Sequence, residues 1–358
     1  MKAKRFNTLF LGLGILFFSS QWMNAQNEVK KEFHEEFKAD KNTILTVDNK
    51  YGDVDLKDWG NPAVKIDVVI TVKNTNAEKA ERLLSYIDVV ISQEGNTISA
   101  KTVFDEKFSK SSSWRDDNDL NIDYTIQMPR DIELNLYNKY GNVFISEITG
   151  KATIGLKYGK LKANRIFRGD VKPLSEIDLG YSDASIEECS WLKVNMKYSK
   201  LNLTKSTAVI LLSKYSTFNM DEGSSVVIES KYDHYEFGDL SNLVVNTAYS
   251  GIKVNEVKEK LSCETSYTDC HVGYIPPAFE SIDINTKYGG YRIGIDPNAS
   301  YNLDGFAEYA KIQYHDAGNV SRIVENTSMK VFGTVGKNAS PTANVKVLSK
   351  YGNIRLTD

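Results

Sequence analysis

Apolar and polar residues alternate along most of this chain, and tyrosine punctuates the alternation at near-regular intervals. The tyrosines are Tyr51, Tyr140, Tyr158, Tyr181, Tyr198, Tyr215, Tyr232, Tyr249, Tyr267, Tyr288, Tyr309 and Tyr351. From Tyr140 onward they are 18, 23, 17, 17, 17, 17, 18, 21, 21 and 42 residues apart, the last equal to two steps of 21. The third and fifth residues after each tyrosine are apolar throughout, as in Val54 and Leu56, Leu201 and Leu203, or Ile252 and Val254. The second and fourth are polar or glycine, with Phe144 the exception. A period of two marks a strand with one buried face.

Upstream of the tyrosine the alternation continues in the opposite phase. Val47, Leu136, Ile154, Val194, Leu211, Ile228, Val245, Cys263 and Ile284 stand four residues before it, and Gly305 breaks the column. The tyrosine shares the inward phase of this first strand, and the phase slips by one beyond it. A slip of one residue turns every following side chain to the wrong face unless the chain bends. The next residue is glycine at 52, 141, 159, 289 and 352, serine at 182, 199, 216 and 250, and Asp233, Thr268 or Ala310 elsewhere. Tyr-Gly/Ser is therefore expected to be a corner, with the small residue absorbing the kink and the ring packed inward on the next ring.

A repeat of 17 to 21 residues is too short for helical hairpins and suits one coil of a β-helix. The expected fold is all-β: a single-stranded right-handed parallel β-solenoid with a small α+β N-terminal cap. Coils about 4.8 Å apart would make a rod roughly 50 Å long.

Three segments are expected. Residues 1–25 read as a signal peptide, with Lys2, Lys4 and Arg5 before the apolar run Leu9 to Phe18 and a cut after Ala25. Residues 26–130 hold the cap and first repeat: a strand over Lys65 to Val72, a helix opened by a Thr75-x-x-Glu78 capping box, and strands near Asp88–Ser92 and Asn121–Gln127. In the helix, Ala80, Leu83, Leu84 and Ile87 share a face. Residues 131–358 hold the repeats, with an irregular stretch 315–343 that folds over a C-terminal end formed by the last repeat.

Charge narrows the partners. The formal charge of −3 becomes −6 once the leader's three cations are removed, which disfavours nucleic acid. The mature chain has no second apolar stretch of membrane-spanning length. Cys189, Cys263 and Cys270 read as small buried hydrophobes, although export permits a disulfide between the last two. The four histidines have no metal-ligand spacing, and no cofactor is expected. The polar run Trp114-Arg-Asp116-Asp117-Asn-Asp119 matches no calcium-loop spacing.

Extra residues fall at Asn164–Leu174, Gly273–Ser281 and Gly294–Asn302, all after the short strand. They are expected along one edge, where Arg165, Phe167, Arg168, Tyr274, Phe279 and Tyr301 form the candidate ligand edge. Lysine precedes eight of the tyrosines and points outward, where it would discourage edge pairing and could attract an anionic polysaccharide.

The units Asn138-Lys-Tyr-Gly-Asn-Val143 and Ser349-Lys-Tyr-Gly-Asn-Ile354 resemble those of the bacterial putative adhesin family of β-strand-repeat proteins. The leader, the early helix and the strand ending at Met128-Pro129 are similar as well. The likeness spans roughly residues 40 to 358, with serine in place of glycine at the central corners. It implies a β-helix exposed in the envelope or outside the cell, and it brings no catalytic residues.

The functional expectation is a non-catalytic exported module, an adhesin or envelope scaffold that binds polysaccharide or protein. A polysaccharide-cleaving β-helix enzyme is the alternative, with Asp183, Glu236 and Asp269 as outward carboxylates. A structural spacer that self-associates end to end through its last coil is a third reading.

Overall fold

The computed structural model describes residues 27–110, 119–169, 171–315 and 318–357. The leader, Trp114, Asp116 and Asp117 lie outside the described residues. The protein is nearly all β, with twenty-six strands joined in one long mixed sheet. No helix among the described residues is long and apolar enough to cross a membrane.

From Tyr51 to Tyr288, successive tyrosine units pair with one another in parallel. Leu201 lies beside Phe218, Phe218 beside Tyr235, Tyr235 beside Ile252, and Ile252 beside Cys270. The residues three and five after each tyrosine are buried, Tyr314 being only half-buried. Burial of each aliphatic side chain contributes about 1.5–3 kcal/mol, which offsets the ordering entropy of the chain.

The corner differs from its expected form. All twelve tyrosines have left-handed backbone, with φ between 51° and 69°. The residue after the tyrosine does not: no positive φ occurs at Gly52, Gly141, Gly159, Gly289 or Gly352. A single left-handed residue reverses the pleat, so the ring swings outward and the small residue takes the inward place. From Tyr140 to Tyr351 the tyrosines are 42–54% exposed, which corrects the inward assignment. Glycine serves close approach instead. A Cβ on Gly141 would stand 1.8 Å from the Gly52 carbonyl oxygen, and one on Gly352 would stand 2.0 Å from that of Gly289.

In the N-terminal region, strand Asn27–Lys38 pairs antiparallel with Ala63–Asn74, which pairs antiparallel with Asp119–Met128. The last of these lies parallel to Val54–Asp58 of the first unit. Strand Thr97–Phe104 lies parallel to the unit's other strand, Ile44–Lys50. The helix is Ala77–Leu84, shorter than expected. Asn76 is its cap and accepts from the Lys79 amide, so Thr75 is not the cap, and Ile87 begins the strand Ile87–Glu94.

The C-terminal region departs further from chain order. Strand Ala343–Lys350 lies between Ser281–Lys287 and Tyr301–Glu308, parallel to both. The ring order is therefore Tyr288, Tyr351, Tyr309. Beyond the Tyr309 unit, Ser328–Val335 pairs antiparallel with Tyr301–Glu308 and with Gly318–Glu325. The last repeat in the sequence is thus interior, and a hairpin covers the unit before it.

Candidate interaction surface

The corner tyrosines form one unbroken stack. Neighbouring ring centroids are 4.7–5.4 Å apart from Tyr51 to Tyr309, with planes within 13° of parallel. The spacing follows from the separation of paired strands. A left-handed non-glycine residue costs roughly 1–2 kcal/mol. Each aromatic pair returns about 0.5–1.5 kcal/mol beyond area burial, so the stack is what makes the strained corner tolerable. Lysines brace it: the Nζ atoms of Lys50, Lys139, Lys214 and Lys350 lie 4.5–5.4 Å from the ring centres of the tyrosines that follow them.

Because each interior ring has both faces covered, that edge offers hydroxyls and ring edges, not flat platforms. At the N-terminal end Tyr51 meets Phe104 edge-on at 5.9 Å. At the other end Tyr309 stacks on Tyr351 alone among the described residues.

Beneath the tyrosines runs a polar seam that the periodicity did not single out. In the central units the corner residue donates its amide to the side chain of the next corner. Ser182 donates to Ser199 Oγ at 3.1 Å, Ser199 to Ser216 Oγ at 3.2 Å, and Ser216 to Asp233 Oδ1 at 2.6 Å. Asp233 donates to Ser250 Oγ at 3.1 Å, and Ser250 to Thr268 Oγ1 at 3.2 Å. From Tyr215 to Tyr288 the second residue before the tyrosine is Ser or Thr and joins from the other side, as in the Ser230–Thr247 pair at 2.6 Å. A column of Ser and Thr at that position was the available signal.

Asp233 is the acidic member of the seam. Burial pushes its carboxyl above the usual range, although Ser213, the Ser216 amide and Tyr235 donate to it. Burial likewise pushes the Cys189 thiol up to about 11. The Cys263 thiol beside it and burial raise Cys270. All three cysteines are buried and free.

The candidate ligand edge divides in two. Arg165 bridges Glu147 and Glu188, both at 3.0 Å, and its guanidinium carbon is 4.9 Å from the Phe167 ring centre. Arg168 donates to the Pro173 carbonyl at 2.9 Å, and the Tyr274 hydroxyl donates to Asp296 at 2.8 Å. Phe279 and Tyr301 are buried at 3% and 1% exposure, so neither can line an exposed edge. They close the apolar interior where the turns fold back, with ring centres 5.9 Å apart. The Tyr158 and Tyr267 units that carry the two groups are six strand spacings apart, roughly 29 Å.

The outward carboxylates do not converge either. Glu236 pairs with Lys253 at 2.8 Å, and Asp269 accepts the Gly290 amide at 2.8 Å. Asp183 stands five units from Asp269, roughly 24 Å. Two carboxyls that cleave a glycosidic bond lie about 5–9.5 Å apart. Among the described residues, no group of three His, Cys, Asp or Glu side chains could hold a metal ion.

No family model and no curated protein matches the chain. Among solved structures, a lipid-binding protein, so named putatively, from Parabacteroides distasonis ATCC 8503 is similar at 11% identity and a TM-score of 0.38, covering 73% of this chain and 95% of that one. A putative adhesin from the same organism gives 7% identity and a TM-score of 0.30, covering 89% and 97%. Another from Bacteroides fragilis NCTC 9343 gives 11% and 0.29, covering 91% and 96%. At these scores the likenesses carry no argument about ligand or mechanism.

Proposed function

We propose that the chain is an exported, non-catalytic binding scaffold of the adhesin kind: a right-handed β-solenoid that holds a rigid lateral surface toward polysaccharide or protein in the cell envelope. The observation that carries this reading is the corner column itself. Twelve strained tyrosines stand in one stack, exposed at the edge from Tyr140 to Tyr351, and a lysine precedes eight of them, so every unit repeats the hydroxyl and most repeat the cation to a long partner. A surface of this kind suits a polymer, because it offers many weak, equivalent contacts at a fixed spacing. The spread of Asp183, Glu236 and Asp269 over separate units favours binding over hydrolysis.

A glycan array and a pull-down against envelope fractions test the reading. Retention of an acidic polysaccharide or of one envelope protein is the expected result. Capture of nothing, or turnover of a polysaccharide that Asp183→Ala or Asp269→Ala abolishes, would overturn it. Cell fractionation with protease shaving of intact cells tests export, and a purely cytoplasmic protein would end that part.

A further inference from the structure

The tyrosine stack is closed at one end and open at the other, and the open end is a pocket. Phe104 meets the first ring, Tyr51, at 5.9 Å. At the far end the strand beyond Tyr309 runs antiparallel, and Tyr309 donates its amide to the Thr327 carbonyl at 2.7 Å. The rung where the next ring would stand is therefore occupied by threonine, which has no ring. A concavity of about 290 Å³ lies there, lined among others by Tyr309, Lys311, Arg322, Val324, Asn326 and Asn353.

The charges around this concavity are one-sided. Among the described residues no carboxylate pairs with Lys311 or Arg322, and the pocket lining contains no acidic side chain. Asn353 lines the concavity, and its Oδ1 accepts the Lys311 amide at 3.0 Å, which leaves its Nδ2 as a donor. Lys350, beside the neighbouring Tyr351, is by contrast neutralised by Glu308 at 3.0 Å. A flat aromatic face, two cations and two side-chain amides converge on one ring-sized space.

We propose that this end of the stack binds the terminal sugar of an acidic polysaccharide, with a pyranose ring taking the next rung on Tyr309 and its carboxylate held by Arg322 and Lys311. The apolar C–H face of a pyranose matches the Tyr309 ring, and a guanidinium matches a carboxylate in a bidentate fork. Asn326 and Asn353 supply partners for the ring hydroxyls. The inference deepens the binding function proposed above and rests on it. It differs in placing a discrete site at one end, whereas the lateral edge has its ring faces already covered.

Titration calorimetry of the purified mature protein with tri-galacturonate, and with galactotriose as the neutral counterpart, tests the site. Saturable one-to-one binding of the uronate is expected, at least tenfold tighter than the neutral sugar and weakened by salt. Arg322→Gln, on an exposed strand, and Tyr309→Asn, which keeps the left-handed backbone and removes the ring, should each weaken it at least tenfold. Lys205→Gln, an exposed cation paired with Glu222 at 3.0 Å and outside the tyrosine column, should leave it unchanged. No uronate binding, or equal loss with Lys205→Gln, overturns the site. A dimer that Tyr309→Asn dissolves, without uronate binding, would assign the rung to a second copy and overturn it too. If envelope fractions are still captured by Tyr309→Asn and Arg322→Gln while tri-galacturonate fails, the end site falls and the lateral reading stands.

Discussion

The central units and the end units solve the same corner in two ways. From Tyr181 to Tyr267 the inward corner residue is Ser, Asp or Thr, and its side chain receives the amide of the corner before it. At Gly52, Gly141, Gly289 and Gly352 there is no room for this, because the backbones approach until a Cβ would meet a carbonyl at 1.8–2.1 Å. There the residue two before the tyrosine supplies the missing partner. Asn49 and Asn138 donate to the Gly52 carbonyl at 3.2 and 3.1 Å, and Ser349 donates to that of Gly352. One arrangement satisfies the corner amide from its own column, and the other satisfies the corner carbonyl from the neighbouring column. A buried corner must satisfy its backbone polar groups, and the sequence can place the satisfying atom on either side of the tyrosine.

The largest break in this comparison comes from removing residues 343–358. Strand Ala343–Lys350 has a parallel partner on each flank, so its loss unpairs Ser281–Lys287 and Tyr301–Glu308 together. Amide exchange protection should vanish across 301–335 while the serine-cornered units keep theirs. Protection retained at 301–308 would show that the end docks without its inserted strand.

Next in size is Gly141→Ala. A Cβ 1.8 Å from the Gly52 oxygen meets backbone, which cannot swing aside, so a loss of about 3 kcal/mol is expected, at the upper end of overpacking costs. Urea titration measures it. A loss below about 1 kcal/mol would mean that the end units can open to the spacing of the central ones. Ser216→Ala should cost less, about 1–2 kcal/mol, since it leaves the Ser199 amide buried without its acceptor. A neutral result would show that the hydroxyl ladder is incidental to the corner.

The alternation was enough to tell which residues are buried, because Leu201, Phe218 and Ile252 can be hidden in only one phase of a strand. It could not say which residue absorbs the slip at the corner. Extending a period of two through Tyr198 places the ring inside, and only the backbone angle shows that the tyrosine itself turns the phase. The C-terminal order was hidden for a different reason. An interval of 42 residues fits two further coils as well as a hairpin and an inserted strand, and the choice is made by pairings far apart in the chain. Phe279 sits in a turn and Tyr301 opens the strand that follows one, where an aromatic residue reads as exposed until the segment is seen to fold over the core. The open rung at Tyr309 has no sequence signature, since it depends on Thr327 arriving in the turn of the hairpin formed by Gly318–Glu325 and Ser328–Val335.

The finest distinction lies within the central ladder, at Asp233, where a carboxylate stands in a hydroxyl position. Its folded pKa is raised by burial, so the native state holds the proton more tightly than the unfolded chain does. The resulting stability is fully present below the unfolded carboxyl value, about 3.9, and is lost as pH rises through the higher folded value. Asp233→Asn keeps the shape, accepts the Ser216 amide through Oδ1, and offers Nδ2 to the oxygens of Ser213 and Tyr235. The variant should therefore gain stability relative to the parent as pH climbs from about 4 through that window, with urea midpoints compared at each pH. Asp123, also raised by burial, leaves the same residual slope in both proteins. A difference constant from pH 4 to 7 would mean that the seam holds the charge as comfortably as a hydroxyl, and the distinction between the two kinds of corner would then be one of space alone.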